Sequence, residues 1–220
     1  MTYQHQWQDG SPVDLPVGKV VCVGRNYAAH AKELGHAVPE TPILFLKPAT
    51  ALASLQPNFS IPSGRGSCHH ETEISLLIGR TLSGHVDAAE ARVAIAGITL
   101  GLDLTLRDVQ NQLKQQGHPW EMAKAFDGAA PMGSFMPLSA EASLTELSLS
   151  LSVNGELRQQ GRSADMITGI VPLLQFIAQY FTLQPGDVVM TGTPEGVAAL
   201  QAGDALVLTL GEQSWETYVR

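Results

Sequence analysis

A short acidic segment followed directly by an apolar run is the feature that most constrains how this chain can fold. The segment is His69-His70-Glu71-Thr72-Glu73, and the following run, Ile74-Ser75-Leu76-Leu77-Ile78-Gly79, is typical of a β-strand. Because alternate side chains of a strand share a face, Glu71 and Glu73 are expected on one face, with their roots roughly 7 Å apart. Two carboxylates placed in this way indicate either a solvated strand end or a site for a cation.

A third acid, Asp103, lies within a second strand-like run, residues 98–105. Thr105 and Asp108 have the spacing of a capping box, which predicts that a helix follows and ends at Gly117. Asp103 is therefore either a buried acid satisfied by backbone amides or a further member of a cation site.

Glu71, Glu73 and Asp103 together would offer hard oxygen donors only. Such a set favours Mg²⁺, Mn²⁺ or Ca²⁺ over zinc, and three carboxylates leave coordination positions open for a substrate. His69 and His70 are adjacent and face opposite ways in a strand, so they cannot both be ligands. We expect them to support the site or the fold.

A short helix is predicted over residues 27–34, with Asn26 as its N-cap and Gly35 just beyond its end. His30 and Glu33 are three residues apart and so lie on one helical face, within reach of each other. By spacing alone, this pair has the character of an ordinary surface ion pair.

Three further segments carry polar groups at element ends. Lys47 ends a predicted strand over residues 42–48, a position at which lysine usually reaches to solvent although ligand contacts also occur there. Lys124 falls in an irregular stretch, predicted as a loop or short helix between two strands. The Gly/Thr-rich loop over residues 191–196 follows a strand and can present N–H groups and hydroxyls to an anion, but it lacks the lysine of a P-loop.

The remaining pattern predicts a β-rich α+β fold. Residues 147–153 alternate strictly, and Asn154-Gly155 predicts a type I′ hairpin turn before a second arm over residues 156–160. Helices are predicted from Asp87 to about Gly97, and from Pro172 in its first position through Tyr180. Strands outnumber helices and follow one another directly, so we expect residues 1–16 to form an N-terminal edge segment and residues 17–219 one domain.

Composition excludes several classes of protein. A formal charge of −8 argues against a nucleic-acid or anionic-membrane partner, since both require a basic face. Only two cysteines occur, and neither a signal peptide nor a run of bilayer-spanning length is apparent. The sequence therefore predicts a cytoplasmic globular protein.

Six spaced motifs together resemble the fumarylacetoacetate hydrolase family over roughly residues 17–219. They are Gly24-Arg25-Asn26-Tyr27 with His30 and Glu33, Leu46-Lys47-Pro48, His70-Glu71-Thr72-Glu73, Leu102-Asp103-Leu104-Thr105 with Arg107-Asp108-Val109-Gln110, Lys124, and Thr191-Gly192-Thr193-Pro194. The resemblance implies a mixed β-roll fold, a homodimer, and Mg²⁺ or Mn²⁺ bound by Glu71, Glu73 and Asp103, a site that Ca²⁺ can also occupy in a crystal.

The same resemblance implies roles for the other residues of the motifs. His30, polarised by Glu33, would activate water, and Lys124 would stabilise a pyruvate enolate beside the metal. Arg25, Lys47, Gln110 and Thr193 would hold the substrate, and the helix carrying His30 would close over it as a lid. The founding hydrolase has an extra N-terminal domain and a fourth acid near this helix, whereas this chain has Gly24-Arg25-Asn26-Tyr27 there.

This chain is similar to the short members of the family, which act on acylpyruvates or oxaloacetate. The implied activity is metal-dependent hydrolysis of the C–C bond of an acylpyruvate. Decarboxylation or keto–enol tautomerisation of oxaloacetate at the same site is the alternative, because each of these reactions passes through the same enolate. A third reading is a carboxylate-binding or Ca²⁺-stabilised module without turnover, which leaves the pairing of His30 with Glu33 unexplained.

Overall fold

The structure, a computed structural model, describes residues 3–33, 35, 37–139 and 141–220. Within these ranges the helices are α1 (Ala28–Glu33), α2 (Ala88–Val93), α3 (Arg107–Gln116), α4 (Glu121–Lys124) and α5 (Ile170–Tyr180). The strands are β1 (Val20–Gly24), β2 (Ile43–Lys47), β3 (Leu52–Ser54), β4 (Asn58–Phe59), β5 (Cys68–His70), β6 (Thr72–Ile78), β7 (Ile95–Leu102), β8 (Thr105–Leu106), β9 (Ala130–Met132), β10 (Met136–Pro137), β11 (Ser148–Val153), β12 (Glu156–Arg162), β13 (Val188–Met190), β14 (Ala198–Ala199), β15 (Ala205–Leu210) and β16 (Gln213–Val219).

The strands of this described part form three sheets. The largest has the order β2-β1-β13-β6-β7-β9-β3, with β10 also paired to β7. A second sheet has the order β12-β11-β15-β16-β4, and a small third sheet has the order β14-β5-β8. Strand β1 is parallel to β13, whereas β6 is antiparallel to both of its neighbours. The strand-rich, mixed α+β fold predicted from the sequence is confirmed.

Strand β6 lies at the centre of the largest sheet and is buried on both faces. On one face, Ile74, Leu76 and Ile78 join an apolar core that includes α5 and the second sheet. On the other face, Leu77 belongs to a smaller apolar cluster with residues of β1 and β9. Glu73 shares the face of Leu77, so its carboxylate points into a buried layer and not to solvent.

The N-terminal segment packs against the largest sheet. Gln6 pairs with Pro12 in an antiparallel bridge around a turn, and Trp7 pairs with Phe135. The described part of the predicted N-terminal edge segment starts at Tyr3 and includes this turn. None of the helices that the structure describes is long and apolar enough to cross a membrane.

Several local predictions are confirmed. The capping box of Asp87 and Glu90 is present at the start of α2. The hairpin of β11 and β12 turns at Asn154 and Gly155, whose φ angles of 53° and 80° suit the predicted turn type. Lys124 is the last residue of the short helix α4.

Other local predictions are wrong at the element ends. Helix α2, which the sequence predicts to end near Gly97, ends at Val93. Gly97 lies within strand β7, which begins at Ile95, and pairs with Pro137 of β10. Pro172 is the third residue of α5, where it still needs no N–H partner. Leu34, the last residue of the predicted first helix, lies outside the described residues, and α1 spans Ala28–Glu33.

Two predicted N-caps use their side chains elsewhere. The Asn26 amide donates to the carbonyl oxygens of Thr168 and Thr191, so it joins two loops instead of capping α1. The Thr105 hydroxyl donates to the carbonyl of Asp103, and α3 begins at Arg107 without a side-chain cap. For Asn26 a tertiary contact replaces the local cap, whereas for Thr105 a different local bond, to a carbonyl two residues earlier, replaces it.

Candidate active site

The three predicted metal-ligating acids meet at the ends of two paired strands. Glu73 is in β6, Glu71 immediately precedes this strand, and Asp103 immediately follows its antiparallel partner β7. The Asp103 N–H donates to the Glu71 carbonyl at 2.8 Å, which extends the ladder past the last strand pair. One carboxylate oxygen from each acid lies within 4.8 Å of the others, and all three side chains are buried.

Cationic side chains contact two of these acids, Glu71 and Asp103. Lys124 Nζ donates to Glu71 Oε2 at 2.8 Å and to Asp103 Oδ2 at 2.5 Å. Arg107 Nη2 donates to Glu71 Oε1 at 2.5 Å. Because Lys124 has three ammonium protons and uses two of them on the acids, one proton remains for a ligand.

Lys47 lies behind the acids and not on the wall of the cavity. Its Nζ is 2.7 Å from Asp103 Oδ1 and also donates to the carbonyl oxygens of Lys124 and Ala129. The side chain is fully buried, and its ammonium group lies among these three protein oxygens. The expectation that Lys47 reaches to solvent is therefore wrong, because its charge is needed where Asp103 is buried. Its contact with a substrate stays a prediction, and Lys47 is not among the residues that line the cavity.

Neighbouring charges lower the pKa of Glu71 and raise the pKa of Lys124. Burial would raise the pKa of Glu71, but the nearby charges of Lys124 and Arg107 outweigh burial and hold it below its usual range. Burial would lower the pKa of Lys124, but the Asp103 and Glu71 carboxylates outweigh burial and raise it. Lys124 is therefore a positively charged hydrogen-bond donor at neutral pH and not a free amine.

Glu73 differs from its two neighbours because it has no cationic partner among the described residues. Its Oε2 accepts a hydrogen bond from the Gly192 N–H at 2.7 Å. Burial, followed by repulsion from Asp103 and Glu71, raises the pKa of Glu73 well above its usual range. The Gly192 N–H of the loop over residues 191–196 thus binds a carboxylate of the protein itself. Gly192 suits this position because its φ is +94° and a Cβ would lie 2.7 Å from Asn26 Cβ.

The donor set fits a divalent metal ion. All three candidate ligands are carboxylates, and within the described residues Glu73 is buried without a cationic partner. Asp103 Oδ1 lies 2.7 Å from Lys47 Nζ but accepts no well-aligned hydrogen bond within the described residues. A hard dication placed between these oxygens would supply the missing charge for Glu73 and could coordinate Asp103 Oδ1. The other reading of Asp103, an acid satisfied by backbone amides, is not what the structure has, because its partners are the ammonium groups of Lys47 and Lys124.

His30 and Glu33 form the pair that their spacing predicts. His30 Nδ1 lies 3.3 Å from Glu33 Oε2, and Glu33 Oε1 accepts a hydrogen bond from the Gly196 N–H at 3.0 Å. His30 is buried and lines the same cavity as the acids, so the pair is not an ordinary surface ion pair. A carboxylate beside Nδ1 favours the tautomer with the proton on that atom, which leaves Nε2 as an acceptor.

One cavity collects most of the predicted site. Of the ten predicted residues, all except Glu33 and Lys47 line it: Arg25, His30, Glu71, Glu73, Asp103, Gln110, Lys124 and Thr193. The cavity is completed by side chains that had no predicted role, namely Phe45, Arg107, Lys114 and Trp120, with Val23 and Gly24. Arg107 and Lys114 could have been found from helical spacing, because they lie three residues before and four residues after Gln110 on the face of α3 that carries it.

The orientation of two lining side chains follows from their hydrogen bonds. Gln110 Oε1 accepts from Arg107 Nη1 at 2.7 Å, so its amide NH₂ remains as a donor. The Thr193 hydroxyl donates to the Thr72 carbonyl at 2.9 Å and accepts from Gln159 Nε2 at 2.8 Å. It can accept one more hydrogen bond from a ligand, but it has no proton left to donate to a substrate carboxylate.

Gln159, which had no predicted role, ties the hairpin of β11 and β12 to the acid-bearing strand. Its Oε1 lies 2.9 Å from His70 Nδ1 and accepts from the Thr72 N–H at 3.0 Å. Its Nε2 donates to Thr193 Oγ1 and to the Pro194 carbonyl. His70 is thus a buried structural partner of this network, as expected for a histidine next to a ligand, and it is not among the grouped metal-ligating residues.

Arg25 also lies on the cavity wall, and its backbone is strained. Its φ of 58° lies in the left-handed region that residues other than glycine rarely adopt. Such strain costs on the order of 1 kcal/mol and is concentrated at functional sites. The conformation places Arg25 at the point where β1 leaves the sheet towards α1.

Comparison with known proteins gives one consistent family. The sequence profile described as "Fumarylacetoacetate (FAA) hydrolase C-terminal" matches residues 19–216. The chain is 53% identical over 220 residues to a protein of Escherichia coli (strain K12) named oxaloacetate tautomerase YcgM, and the match covers all of both chains.

Two solved structures extend the comparison. A fumarylacetoacetate hydrolase family protein from Yersinia pestis CO92 superposes with a TM-score of 0.96 at 47% identity, covering 99% of this chain and 100% of the other. Fumarylpyruvate hydrolase from Pseudomonas aeruginosa, solved in complex with Mn²⁺ and pyruvate, superposes with a TM-score of 0.91 at 35% identity, covering 99% and 95%. From the profile match and these full-length similarities, the chain belongs to the fumarylacetoacetate hydrolase family.

Proposed function

We propose that this chain is a divalent-metal-dependent enzyme that interconverts the keto and enol forms of oxaloacetate. The observation that carries the proposal is the juxtaposition of Glu71, Glu73 and Asp103 with Lys124 and His30 around one cavity. The name of the E. coli relative, 53% identical over its full length, supports tautomerisation over the C–C hydrolysis that the motifs alone favour.

Glu71, Glu73 and Asp103, together the acid triad, would hold Mg²⁺ or Mn²⁺. Both ions suit an all-carboxylate site with open positions. The bound ion would act as a Lewis acid towards the C2 oxygen and one C1 carboxylate oxygen of the substrate. The Pseudomonas aeruginosa fumarylpyruvate hydrolase, solved with Mn²⁺ and pyruvate, supports this choice of ion and of substrate end.

Lys124 is assigned the stabilisation of charge on the C2 oxygen. Two of its protons fix the ammonium group to Glu71 and Asp103, and the third is free for the substrate oxygen on which negative charge develops. The Asp103 and Glu71 carboxylates raise the pKa of Lys124, which favours its charged form. Lys47 is assigned a positioning role, because it holds Asp103 and the Lys124 carbonyl from behind.

His30 is assigned the transfer of the C3 proton. With Nδ1 against Glu33, its Nε2 can take the C3 proton of the keto form, which leaves the enolate and an imidazolium, and the imidazolium can then give the same proton to the C2 oxygen to form the enol. The reverse transfer returns the proton to C3. Glu33 fixes the imidazole by linking it to the Gly196 N–H, so that the ring does not rotate away from the cavity.

The remaining lining groups are assigned substrate contacts that match their free hydrogen-bonding capacity. The Gln110 amide would donate to a carboxylate oxygen of the substrate, and Arg25 would add positive charge. The Thr193 hydroxyl, which can only accept, would receive the hydroxyl proton of the enol form.

The test is the decay of enol-oxaloacetate, followed by absorbance with Mg²⁺ present and again with excess chelator. We expect catalysed decay that requires the metal and that produces no matching amount of pyruvate. Catalysed decay that persists in chelator, or pyruvate formation at the rate of enol loss, would contradict the proposal. In the second case the enzyme would be a decarboxylase acting through the same enolate.

Hydrolysis of the C–C bond of an acylpyruvate is a second candidate, and the pair of buried His30 with the more exposed Glu33 supports it. His30 would take a proton from water, the resulting hydroxide would add to the C4 carbonyl, and the C3–C4 bond would break to give a carboxylate and the pyruvate enolate. The 35% identical fumarylpyruvate hydrolase supports this reaction class. Pyruvate release from acetylpyruvate, faster than enol-oxaloacetate decay, would favour this candidate.

A further inference from the structure

Two cations on the cavity wall have no acidic partner in the part of the chain that the structure describes. Lys114, near the end of α3, and Arg25, after β1, both line the cavity, and within the described residues neither forms an ion pair. By contrast, Arg107, Lys47 and Lys124 are all paired with the acid triad. An unpaired cation held against a cavity wall attracts an anionic ligand, since no protein group neutralises it.

Lys114 is kept in the cavity by an aromatic side chain. Its Nζ lies 5.3 Å from the centroid of the Trp120 ring, in the geometry of a cation–π contact. The Trp120 ring meets the Phe45 ring edge-on, with centroids 5.9 Å apart, and Lys124 Nζ lies 5.2 Å from the Phe45 centroid. The two aromatic rings therefore form a wall with Lys124 at one end and Lys114 at the other.

Lys114 is also remote from the acid triad along its helix. Arg107, which contacts Glu71, is seven residues earlier on α3, which corresponds to roughly 10 Å along the helix axis. Gln110, with its free amide donors, lies between them on the same helical face. The face thus carries polar donors from the acid triad outward to Lys114.

The pKa of Lys114 is lowered, as expected for a half-buried lysine that lies near other cations and has no acidic partner among the described residues. Burial, followed by repulsion from Arg107 and Arg25, lowers the pKa of Lys114 to about 8. A bound anion would relieve this repulsion and favour the charged form.

We propose that Lys114, with Arg25 beside it, forms an anion subsite that selects 2-oxo acids carrying a second carboxylate over 2-oxo acids that carry one. The inference rests on the proposed function in that the 2-oxo acid end is taken to face the acid triad. The second carboxylate then extends along the aromatic wall of Phe45 and Trp120 to Lys114. Lys114 is a specificity residue in this account and takes no part in proton transfer.

The test compares binding of malate and lactate, two 2-hydroxy acids that differ in the second carboxylate, by calorimetry with Mg²⁺ present. The wild type is expected to bind malate about ten- to hundred-fold more tightly, the difference that one charge-assisted hydrogen bond supplies. Lys114→Met should lose about ten-fold or more in malate affinity and leave lactate affinity unchanged. Met keeps an unbranched apolar stem against Trp120, and Lys114→Arg should restore the preference for malate.

Lys32→Met is the matched control, since Lys32 is exposed on α1 and does not line the cavity. It should change neither affinity. Equal loss of malate and lactate binding in Lys114→Met, no loss of either, or a wild type that does not prefer malate would overturn the subsite.

Steady-state kinetics with oxaloacetate test this inference separately from the proposed function. For oxaloacetate, Lys114→Met should raise KM about ten-fold with kcat little changed, because the second carboxylate is bound alike in the ground and transition states. A wild type that prefers malate but does not tautomerise oxaloacetate would refute the proposed function and keep the subsite. A kcat lowered as much as kcat/KM in this variant would refute the role of Lys114 as a specificity residue.

Discussion

Replacing Glu73 with glutamine should change stability in opposite directions with and without metal. Glu73 is the one member of the acid triad that has no cationic partner among the described residues, and it is flanked by the Glu71 and Asp103 carboxylates. A neutral amide of nearly the same shape removes this repulsion and keeps an oxygen for the Gly192 N–H. It also removes one of the three charges that would hold a dication.

The two magnitudes can be worked from the geometry. Two unit charges 4.8 Å apart repel by about 3.5 kcal/mol at an effective dielectric constant of about 20. Attraction to Lys47 and Lys124 and uptake of a proton by Glu73 offset most of this, so we expect Glu73→Gln to stabilise the metal-free protein by about 1 kcal/mol, or 2–4 °C in Tm. Metal at 100 times its Kd should stabilise the wild type by about 2.7 kcal/mol, or roughly 5–10 °C, and the variant far less.

The assay is thermal unfolding of both proteins with Mn²⁺ and with chelator. The curves should cross, with the variant more stable in chelator and the wild type more stable in metal. Glu146→Gln, an exposed replacement of the same type, is the control and should shift neither Tm. A variant less stable than the wild type in chelator, or one stabilised by Mn²⁺ as much as the wild type, would refute the reasoning.

Three buried groups give further predictions. His30→Gln should lower the kcat of tautomerisation by about 10²–10⁴-fold while the stabilisation by Mn²⁺ is retained; loss of that stabilisation would count against the assignment of His30 as the proton-transfer group. Lys47→Met should destabilise the protein by about 3–5 kcal/mol in urea unfolding, because the buried Asp103 loses an ionic partner, and a loss below about 1 kcal/mol would show that Lys47 does not hold this acid. Burial lowers the pKa of His5, so the unfolded chain takes up the proton first and stability should fall as the pH drops below about 6.5. Urea midpoints between pH 5 and 7 should show a weaker pH dependence in His5→Gln than in the wild type, and equal slopes would refute this role for His5.

Sequence patterns were sufficient where one physical rule acts alone. The run from Ile74 to Ile78 forms a central strand, and alternation puts Glu71 and Glu73 on one side of it, where the end of the next strand brings Asp103. The spacing of His30 and Glu33 gives their contact for the same reason, because helical neighbours three residues apart must meet.

Sequence patterns failed where a tertiary partner replaced a local one. Asn26 has the residue type of an N-cap, but its amide joins loops that are more than 140 residues away in sequence. Lys47 has the position of a lysine that reaches solvent, but the buried Asp103 holds it inside. No pattern in the sequence around Lys47 shows that the carboxylate of Asp103 lies beside the end of its strand.

The functional residues that were not predicted from the sequence were missed for another reason. Arg107 and Lys114 occupy helical positions that suit solvent-exposed cations equally well, and only the packing of α3 and α4 over the acid triad turns them into the cavity. Gln159 lies on edge strand β12, which is polar or glycine apart from Leu157, so nothing in its pattern marks Gln159 as buried. Its burial depends on the loop carrying Thr193, which lies 34 residues further along the chain.

The most direct test of the proposed reaction follows oxaloacetate by NMR in D₂O, with enzyme and Mg²⁺ in one tube. Deuterium at C3 reports proton transfer, and the pyruvate methyl signal reports C–C cleavage. We expect enzyme-dependent exchange at C3 that far outpaces pyruvate formation and that is abolished by chelator and by His30→Gln. Pyruvate formation that keeps pace with exchange, or exchange that does not depend on metal or on His30, would contradict the proposed tautomerisation.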